Sequence, residues 1–198
     1  MPWSFPQRVA GSEQRQRLTA TGLQTMHMPS LPGGKILVTG ARGQLAQALA
    51  RHGSTRVQLV GRPDFDFDRP ETLDATLTAH NPSAVINAAA WTAVDLAESE
   101  QEAATRANTV GPVLLAQLCA QRRIQYLQSS TEYVFNGTKG TPYTETDLPS
   151  PCSAYGRSIA EGEKAILAVC PYGIYLRTAW LHSASGSTFA KTILRAGT

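Results

Sequence analysis

Two hydroxyl-bearing side chains, Thr131 and Tyr155, have the chemistry that carbonyl reduction requires. A threonine hydroxyl can hydrogen-bond a carbonyl oxygen, and a phenol can donate the proton that the nascent alkoxide needs after a hydride has been added. Thr131 closes the hydroxyl-rich run 129–131, and Tyr155 lies at the start of a predicted helix over residues 154–169. These residue types predict a reductase site, although Tyr155 by itself equally fits a half-buried aromatic residue at a helix start.

A glycine-containing turn, TGARGQLA over residues 39–46, follows an apolar run and precedes a predicted helix. Glycines at this spacing let backbone N–H groups and the helix N-terminus approach a pyrophosphate closely. The turn predicts dinucleotide binding because it joins a strand to a helix, whereas glycines alone would fit an ordinary tight turn. Its predicted cofactor contacts are Gly40, Arg42, Gly43, Gln44 and Leu45.

The choice between NADPH and NADH depends on the residues after the second apolar run, about twenty positions beyond Gly40. NAD-preferring sites place an acid there to bind the ribose 2′-hydroxyl, but this sequence has Gly61 and Arg62. A guanidinium group suits a 2′-phosphate, and Arg42 in the glycine turn could contact the same phosphate. The sequence therefore favours NADPH and leaves NADH open, and the alternative interpretation is that both arginines are merely exposed to solvent.

Short apolar runs alternate with helix patterns from Lys35 onward, which predicts an α/β fold with a Rossmann-like, doubly wound parallel sheet. The predicted strands are residues 36–38, 57–60, 84–86, 124–127 and 173–176. The predicted helices run from Gln44 to His52 before Gly53, from a cap at Asp68 through Pro70 to Asn81, from Glu98 to Ala120 as one helix or two, and from Ala154 to Val169.

The carboxyl ends of parallel strands meet at one edge of the sheet, where ligands of open α/β folds bind. Two segments follow predicted strands there: residues 87–95, with the small side chains of Ala88 and Ala89, and residues 129–137, which begin with Ser129. Small side chains would let a cofactor pass close to the backbone, and Ser129 is a further predicted cofactor contact. The predicted sheet therefore brings the glycine turn and the hydroxyl pair to one pocket.

Five segments of residues 35–198 resemble, in order and spacing, the extended short-chain dehydrogenase/reductase family, and within it the dTDP-4-dehydrorhamnose reductases. They are ILVTGARGQLAQAL, VINAAAWTAVDLAE, SSTEYVFNGTKGTPYTETD, YGRSIAEGEKAI and LRTAWLHS. The resemblance implies NADPH-dependent reduction of the 4-keto group of dTDP-4-dehydro-6-deoxy-L-mannose to give dTDP-L-rhamnose. It also implies a cytoplasmic enzyme of cell-surface polysaccharide biosynthesis whose partner is a nucleotide-sugar, and it leaves a homodimer open.

The resemblance also implies roles for individual residues. Thr131 and Tyr155 fall on the family's catalytic threonine and tyrosine, and Asp66 and Phe67 fall where the adenine is held. The other cofactor contacts that it implies are Ala88, Ala89, Thr92 and Tyr155, and the implied nucleotide-sugar contacts are Val94, Thr131, Glu132, Tyr133 and Trp180.

The sequence departs from the family pattern at position 159, four residues after Tyr155. The family motif is Y-x-x-x-K, in which the lysine lowers the phenol pKa and holds the nicotinamide ribose, but this chain has Ile159. Arg157 and Lys164 lie two and nine residues after Tyr155, so in a helix they would point away from the face that carries Tyr155, and neither is a ready substitute for the lysine. The family's aspartate after the threonine is Glu132, one methylene longer. The C-terminal substrate lobe is expected to be largely absent, so impaired activity is expected.

Two other functions stay open. A non-catalytic dinucleotide-binding subunit, similar to the regulatory subunit of methionine adenosyltransferase, would keep the fold without needing turnover, and Ile159 favours it. A sugar epimerase or dehydratase shares the glycine turn and the tyrosine, but the STEYVFNG and RTAW segments favour the reductase.

Composition argues against several classes of protein. The 42% hydrophobic and 17% charged content suits one globular domain without a membrane span, and a net charge of +3 with a single adjacent basic pair gives no nucleic-acid-binding patch. Three cysteines without C-x-x-C spacing and isolated histidines predict a reducing compartment, no disulfides and no metal. Residues 1–34 lack apolar periodicity and are predicted to be a disordered or extension tail, with the Rossmann domain over 35–198.

Overall fold

The computed structural model describes residues 33–53, 55–182 and 189–197. The predicted tail, residues 1–34, therefore lies outside the described residues except for Gly33 and Gly34. Within these ranges no helix has the length and apolar character needed to cross a membrane.

Five parallel strands form the sheet, which confirms the predicted fold class. The strands are β1 (Ile36–Thr39), β2 (Val57–Val60), β3 (Ala84–Asn87), β4 (Gln125–Thr131) and β5 (Ile174–Thr178). Their order is β2-β1-β3-β4-β5, so the chain turns to one side of β1 first and to the other side afterwards. The reversal leaves a crevice between the carboxyl ends of β1 and β3, which is where open α/β sheets bind ligands.

Strand β4 is longer than the apolar run that predicts it. It continues through four polar residues to Thr131, because β3 pairs with its first half and β5 with its second half. Pairing with β5 thus keeps the polar segment 128–131 extended beyond the last pair with β3, Asn87 with Gln128. The consequence is that Thr131 lies at the very end of a central strand.

Helices connect the strands, as expected for parallel pairing. They are α1 (Gln44–His52), α2 (Glu71–His80), α3 (Leu96–Ser99), α4 (Gln101–Thr105), α5 (Gly111–Gln121), α6 (Ala154–Val169) and α7 (Phe189–Ala196), with a π-helical turn at Arg106–Val110 between α4 and α5. The predicted bounds of α1 and α6 are confirmed.

The predicted helix start at Asp68 is wrong. Helix α2 begins at Glu71 with Pro70 at its N-cap position, and no side chain caps it. The Asp68 carboxylate lies instead beside the guanidinium groups of Arg62 and Arg106, at 3.4 Å from each. The Asp68 carboxylate, which the sequence pattern predicted to cap the helix, thus forms ion pairs with two arginines.

The predicted helix from Glu98 to Ala120 is interrupted twice. A non-helical residue, Glu100 (φ −116°, ψ 49°), separates α3 from α4, and the π-helical turn separates α4 from α5. Proline does not cause either break, because the one proline of the region, Pro112, lies in the first turn of α5, where a helix tolerates it. Tertiary contacts of Asn108, described below, account for the π-helical turn.

Two apolar clusters stabilise the fold. The larger lies between the sheet and helices α2, α5 and α6 and includes the fully buried Leu37, Leu73, Leu115 and Tyr126. Each such side chain contributes about 1.5–3 kcal/mol when it is removed from water. The smaller cluster surrounds the start of α6 and contains both Tyr155 and Ile159.

Candidate active site

A cleft of about 370 Å³ opens at the carboxyl ends of β1, β2 and β3, where the strand order reverses. Its lining comprises Gly40, Ala41, Arg42, Gly43, Gly61, Arg62, Phe65, Phe67, Ala88, Ala89, Ala90 and Ala107. The structure thereby brings seven of the predicted cofactor residues to one cleft, namely Gly40, Arg42, Gly43, Arg62, Phe67, Ala88 and Ala89.

The glycine turn passes very close to the backbone after β3. Gly40 has φ +72°, and a Cβ atom built there would lie 2.9 Å from the carbonyl oxygen of Ala88. Only glycine meets both conditions without strain. The turn is closed by the N–H of Gly43, which donates to the carbonyl oxygen of Gly40 over 2.7 Å. Immediately after it, α1 begins with its free N–H groups facing the cleft end of the sheet, which suits an anion.

A buried polar network fixes the strand ends beneath the cleft. The hydroxyl of Thr39 donates to the side-chain oxygen of Asn87, and the Asn87 amide donates to Gln128 over 2.9 Å. The phenol of Tyr126 also donates to Gln128, over 2.6 Å. The network joins β1, β3 and β4, so it sets the spacing between the glycine turn and the strand that carries Thr131. The sequence analysis missed it.

The two predicted phosphate-binding arginines differ in their surroundings. The guanidinium of Arg62 lies 3.2 Å from the Asp66 carboxylate and 3.4 Å from that of Asp68. Arg42 is exposed and makes no ion pair with any residue that the structure describes. Asp66 thus contacts Arg62 rather than lining the cleft. Arg42 is the unneutralised cation of the two.

An aromatic pair closes one side of the cleft. Phe65 and Phe67 lie edge to face with ring centroids 5.6 Å apart. Phe65 is buried and Phe67 is half-buried, and Gly111 at the start of α5 leaves room for the Phe67 ring. Sequence reasoning found Phe67 but missed Phe65, although its place two residues earlier in the run FDF was a usable signal.

Thr131 and Tyr155 are brought together at the end of β4. Both are buried, and the ring of Tyr155 lies edge to face with that of Tyr133 at 5.6 Å. The Thr131 hydroxyl donates to the Glu132 carboxylate over 3.0 Å and accepts the N–H of Tyr133 over 3.2 Å. The hydroxyl of Thr131 therefore also caps the short 3₁₀ turn Glu132–Val134.

The pKa of Tyr155 is raised above its usual value. Burial is the main cause of the raised pKa, and the negative charge of Glu132 adds to it, whereas the polar Thr131 hydroxyl beside the phenol acts in the opposite direction. No cation of the described residues is among the groups that shift this pKa. The phenol therefore stays protonated at neutral pH, which is the form that donates a proton.

Position 159 carries no charge into the site. Ile159 is 5% exposed and packs in the apolar cluster around Tyr155. Arg157 lies 3.8 Å from Glu98 on the outer face of α6, and Lys164 is exposed. Neither basic residue belongs to the cluster that contains the phenol.

The remaining predicted residues lie around the cleft without lining it. Gln44 donates from its amide to the carbonyl oxygen of Leu181 over 3.1 Å, and so joins α1 to the segment after β5. Leu45 and Ser129 are half-buried, Thr92 is exposed, and Val94 packs against the smaller apolar cluster. Trp180 follows β5 with φ +49° and is 56% exposed.

A second, open cavity of about 580 Å³ borders the site. It lies between α6, the outer strand β5 and the loop at residues 143–145. Glu132 lines this cavity rather than the glycine-turn cleft, and so do Thr178 and Ala179, directly before Trp180. The predicted sugar contacts Glu132 and Trp180 therefore lie on the β5 side of the catalytic pair.

Asn108 is a buried positioning residue that the sequence analysis missed. Its amide accepts the N–H of Trp91 over 2.8 Å and donates to the Trp91 carbonyl over 3.1 Å and to the Ser158 hydroxyl over 2.9 Å. Ser158 in turn donates to the carbonyl of Tyr155 over 2.7 Å. The π-helical turn aims Asn108 at these partners and thus links the loop after β3 to the start of α6. A buried asparagine inside a helical pattern was the available signal.

A buried ion pair between Glu163 and Arg177 joins helix α6 to strands β4 and β5. Glu163 on α6 accepts from the Ser130 hydroxyl over 2.5 Å and from the Arg177 guanidinium over 2.6 and 3.0 Å. Arg177 also lies over the Phe135 ring, 4.9 Å from its centroid. The pair fixes β4, β5 and α6 relative to one another. Among the described residues, no group of three His, Cys, Asp or Glu side chains forms a metal-ligand cluster.

The parallel sheet, the glycine turn and the cleft at the strand reversal define a Rossmann-like α/β protein. Residues 34–198 match the family described as RmlD substrate binding domain. The chain belongs to this family.

Curated relatives and solved structures agree with this membership. A dTDP-4-dehydrorhamnose reductase of Burkholderia thailandensis is 43% identical over 165 residues, which are 81% of this chain and 55% of that protein. A probable dTDP-4,6-dihydroxy-2-methyloxan-3-one 4-ketoreductase of Streptomyces antibioticus is 41% identical over 80% of this chain and 55% of its own length. The chain thus spans about half the length of the curated relatives it matches.

Among solved structures, a dTDP-4-dehydrorhamnose reductase of Clostridium acetobutylicum superposes with a TM-score of 0.77 at 37% identity, covering 82% of this chain and 59% of the other. The dTDP-4-dehydrorhamnose reductase of Bacillus anthracis, solved in complex with NADP, gives a TM-score of 0.79 at 28% identity, covering 83% of this chain and 60% of the other.

Proposed function

We propose that this chain provides the dinucleotide-binding half of an NADPH-dependent reductase of nucleotide-sugars, of the dTDP-4-dehydrorhamnose reductase type. The reaction would reduce the 4-keto group of dTDP-4-dehydro-6-deoxy-L-mannose to give dTDP-L-rhamnose. The observation that carries the proposal is the buried pair Thr131 and Tyr155 at the end of β4, beside a glycine-turn cleft at the strand reversal. The names of the relatives support the same substrate class.

The cleft fits a dinucleotide in three respects. A Cβ atom at Gly40 would fill the close approach to Ala88, the start of α1 offers N–H donors to a pyrophosphate, and Arg42 offers an unpaired cation to a 2′-phosphate. We assign the adenosine end to Arg42, Arg62, Asp66 and Phe67, the pyrophosphate to Gly40, Gly43, Gln44 and Leu45, and the nicotinamide end to Ala88, Ala89, Thr92, Ser129 and Tyr155.

The residues of the chain would act on the substrate as follows. NADPH, when bound, supplies the hydride that adds to the carbonyl carbon. The Thr131 hydroxyl positions the carbonyl oxygen, and Tyr155 donates its phenolic proton to that oxygen as negative charge develops there. Because Thr131 donates to Glu132 in this structure, its hydroxyl must turn from Glu132 to the substrate. Val94, Glu132, Tyr133 and Trp180 would contact the nucleotide-sugar.

The reaction belongs to the cytoplasm in this proposal, as a step of cell-surface polysaccharide biosynthesis. The three cysteines, Cys119, Cys152 and Cys170, are all free thiols, which persist in a reducing compartment.

A second candidate function is a non-catalytic dinucleotide-binding subunit. The observation that favours it is Ile159, which leaves the phenol without the cation that the family motif supplies. The two functions differ in one measurement. Only the reductase lowers the absorbance of the reduced nicotinamide when the protein is mixed with NADPH and the keto-sugar nucleotide.

Cofactor binding can be tested with two matched glycine variants. Gly40 and Gly137 both have positive φ, but a Cβ atom would clash with Ala88 at Gly40 and meets nothing within 4 Å at Gly137. Both alanine variants should therefore lose about 1–2 kcal/mol of stability from backbone strain, and Gly40→Ala should lose more because its Cβ atom also displaces the Ala88 backbone. In calorimetry, Gly40→Ala should bind NADPH at least about tenfold more weakly, a loss of about 1.4 kcal/mol, while Gly137→Ala binds like the parent.

Gly137→Ala is the control for a general loss of folding. Thermal melting measures the loss of stability in both variants, so that weaker binding by Gly40→Ala can be separated from unfolding. A parent chain that binds no NADPH, or a Gly40→Ala variant that binds it unchanged, would contradict the assignment of the cleft.

A further inference from the structure

Asp68 does not line the glycine-turn cleft, but it contacts a cation that does. Its carboxylate lies 3.4 Å from the guanidinium of Arg62, and its other oxygen lies 3.4 Å from that of Arg106. Arg62 also pairs with Asp66, at 3.2 Å. Two arginines and two aspartates therefore form one cluster at the edge of the cleft, next to the end of β2.

The cluster contrasts with Arg42, which lines the same cleft and makes no ion pair with a described residue. A phosphate dianion is attracted by the sum of nearby charges, so a guanidinium that already faces two carboxylates attracts it less than an unpaired one. Two adjacent carboxylates also repel the phosphate directly. By this argument the positive potential at the cleft comes mainly from Arg42.

The two aspartates have different structural roles. The side chain of Asp66 is 15% exposed and accepts the backbone N–H of Asp68 over 3.1 Å, so it also shapes the loop. The side chain of Asp68 is 51% exposed, and its carboxylate oxygens contact the two arginines. Asp68 can therefore lose its charge without removing a backbone contact of the loop.

We propose that Asp68 limits the preference of this cleft for a 2′-phosphorylated dinucleotide, by neutralising Arg62, and that Arg42 is the residue from which the remaining preference arises. The inference rests on the proposed function, because it concerns the cofactor of that cleft. Asp68 is a specificity-determining residue that acts through Arg62, and it is not itself a ligand contact.

The test compares the affinities of four variants for NADPH and NADH by calorimetry. Asp68→Asn should raise the ratio of NADPH to NADH affinity by about threefold to tenfold, because it removes one of the two carboxylate charges that face Arg62 and leaves only the pair with Asp66. Arg42→Ala should lower the ratio by about tenfold or more, and Arg62→Ala should lower it less. The matched control is Asp74→Asn, which removes the same charge from an exposed aspartate that pairs with Arg122 and lines no part of the cleft.

The ratio is the readout because a general loss of folding would weaken both cofactors alike. The inference is overturned if Asp68→Asn changes the ratio no more than Asp74→Asn does, or if Arg62→Ala lowers it more than Arg42→Ala. Failure of the parent chain to bind either dinucleotide would instead remove the proposed function, and this inference with it.

Discussion

Tyr155 lies in surroundings that favour its neutral form. Its pKa is raised by burial and by the charge of Glu132, and the residue one helical turn later is the buried Ile159. A neutral phenol can donate a proton, but it lacks a nearby cation that would stabilise the phenolate left behind. We therefore expect the side chain at position 159 to influence how readily Tyr155 gives up its proton.

Ile159→Lys should lower the pKa of Tyr155, because an ammonium group one turn away favours the ionised phenol. The shift can be measured by ultraviolet difference titration, with Tyr155→Phe subtracted to isolate this phenol from the other tyrosines. Glu161→Lys is the control, since it adds a lysine to an exposed position of the same helix. Turnover with the keto-sugar nucleotide, measured after fusion to the remaining half of a related reductase, should rise by about two to four orders of magnitude.

An unchanged Tyr155 titration in a folded Ile159→Lys variant would refute the role of this position. A lowered pKa without any gain in turnover would show that Tyr155 ionisation does not limit the reaction.

Helix α6 carries Tyr155, and its distance from its neighbours is set by glycines. A Cβ atom at Gly156 would lie 2.3 Å from the carbonyl oxygen of Tyr133, and one at Gly162 would lie 2.3 Å from that of Asn108. The helix thus contacts the 3₁₀ turn and the π-helical turn backbone to backbone. These two contacts position the phenol relative to Thr131.

Gly162→Ala should destabilise the protein by about 1–3 kcal/mol, because the added methyl group must displace the backbone at Asn108. Helix propensity alone predicts the opposite, since alanine favours a helix interior by about 1 kcal/mol over glycine. Urea denaturation measures the difference. Gly140→Ala is the control, because a Cβ atom there meets nothing within 4 Å. A Gly162→Ala variant as stable as the parent would mean that the close contact has no energetic weight.

Among the described strands, β5 lies at one end of the sheet and pairs with β4 alone. Its outer edge therefore presents unpaired backbone N–H and C=O groups. Ile174 and Leu176 on this strand are 37% and 51% exposed, and Leu167 on α6 is also exposed nearby in the cavity lining. The one charged residue of β5, Arg177, pairs with Glu163, so the strand carries no lysine or proline that would oppose pairing with another chain.

We expect this chain to self-associate at high concentration through the β5 edge. Leu176→Lys should reduce the association, because a lysine on an edge strand opposes pairing. Leu148→Lys is the matched control, since Leu148 is a more exposed leucine in the loop before α6. Light scattering over a concentration series gives the mass of the particles. A parent chain that stays monomeric throughout, or equal effects of both lysines, would contradict the role of β5.

Most of the local elements could be predicted from short-range sequence patterns. The strand positions, the bounds of α1 and α6 and the glycine turn all follow from patterns whose partners lie within a few residues. Gly40 is an example, because the spacing of the turn predicts it before the close approach to Ala88 is known. The residue types and the elements that precede or contain them likewise predict Thr131 and Tyr155 as catalytic residues, and this role stays a prediction.

Other features depend on contacts between distant segments: the strand order, the partners of Arg62, the loss of the predicted cap at Asp68 and the helix breaks between residues 96 and 121. It also placed Asn108 against Ser158 and Glu163 against Arg177. The Asn108–Ser158 contact spans fifty residues of sequence and the Asp68–Arg106 contact nearly forty. The physical reason is that a charged or amide side chain takes the strongest partner within reach, and reach is defined only once distant segments have packed together.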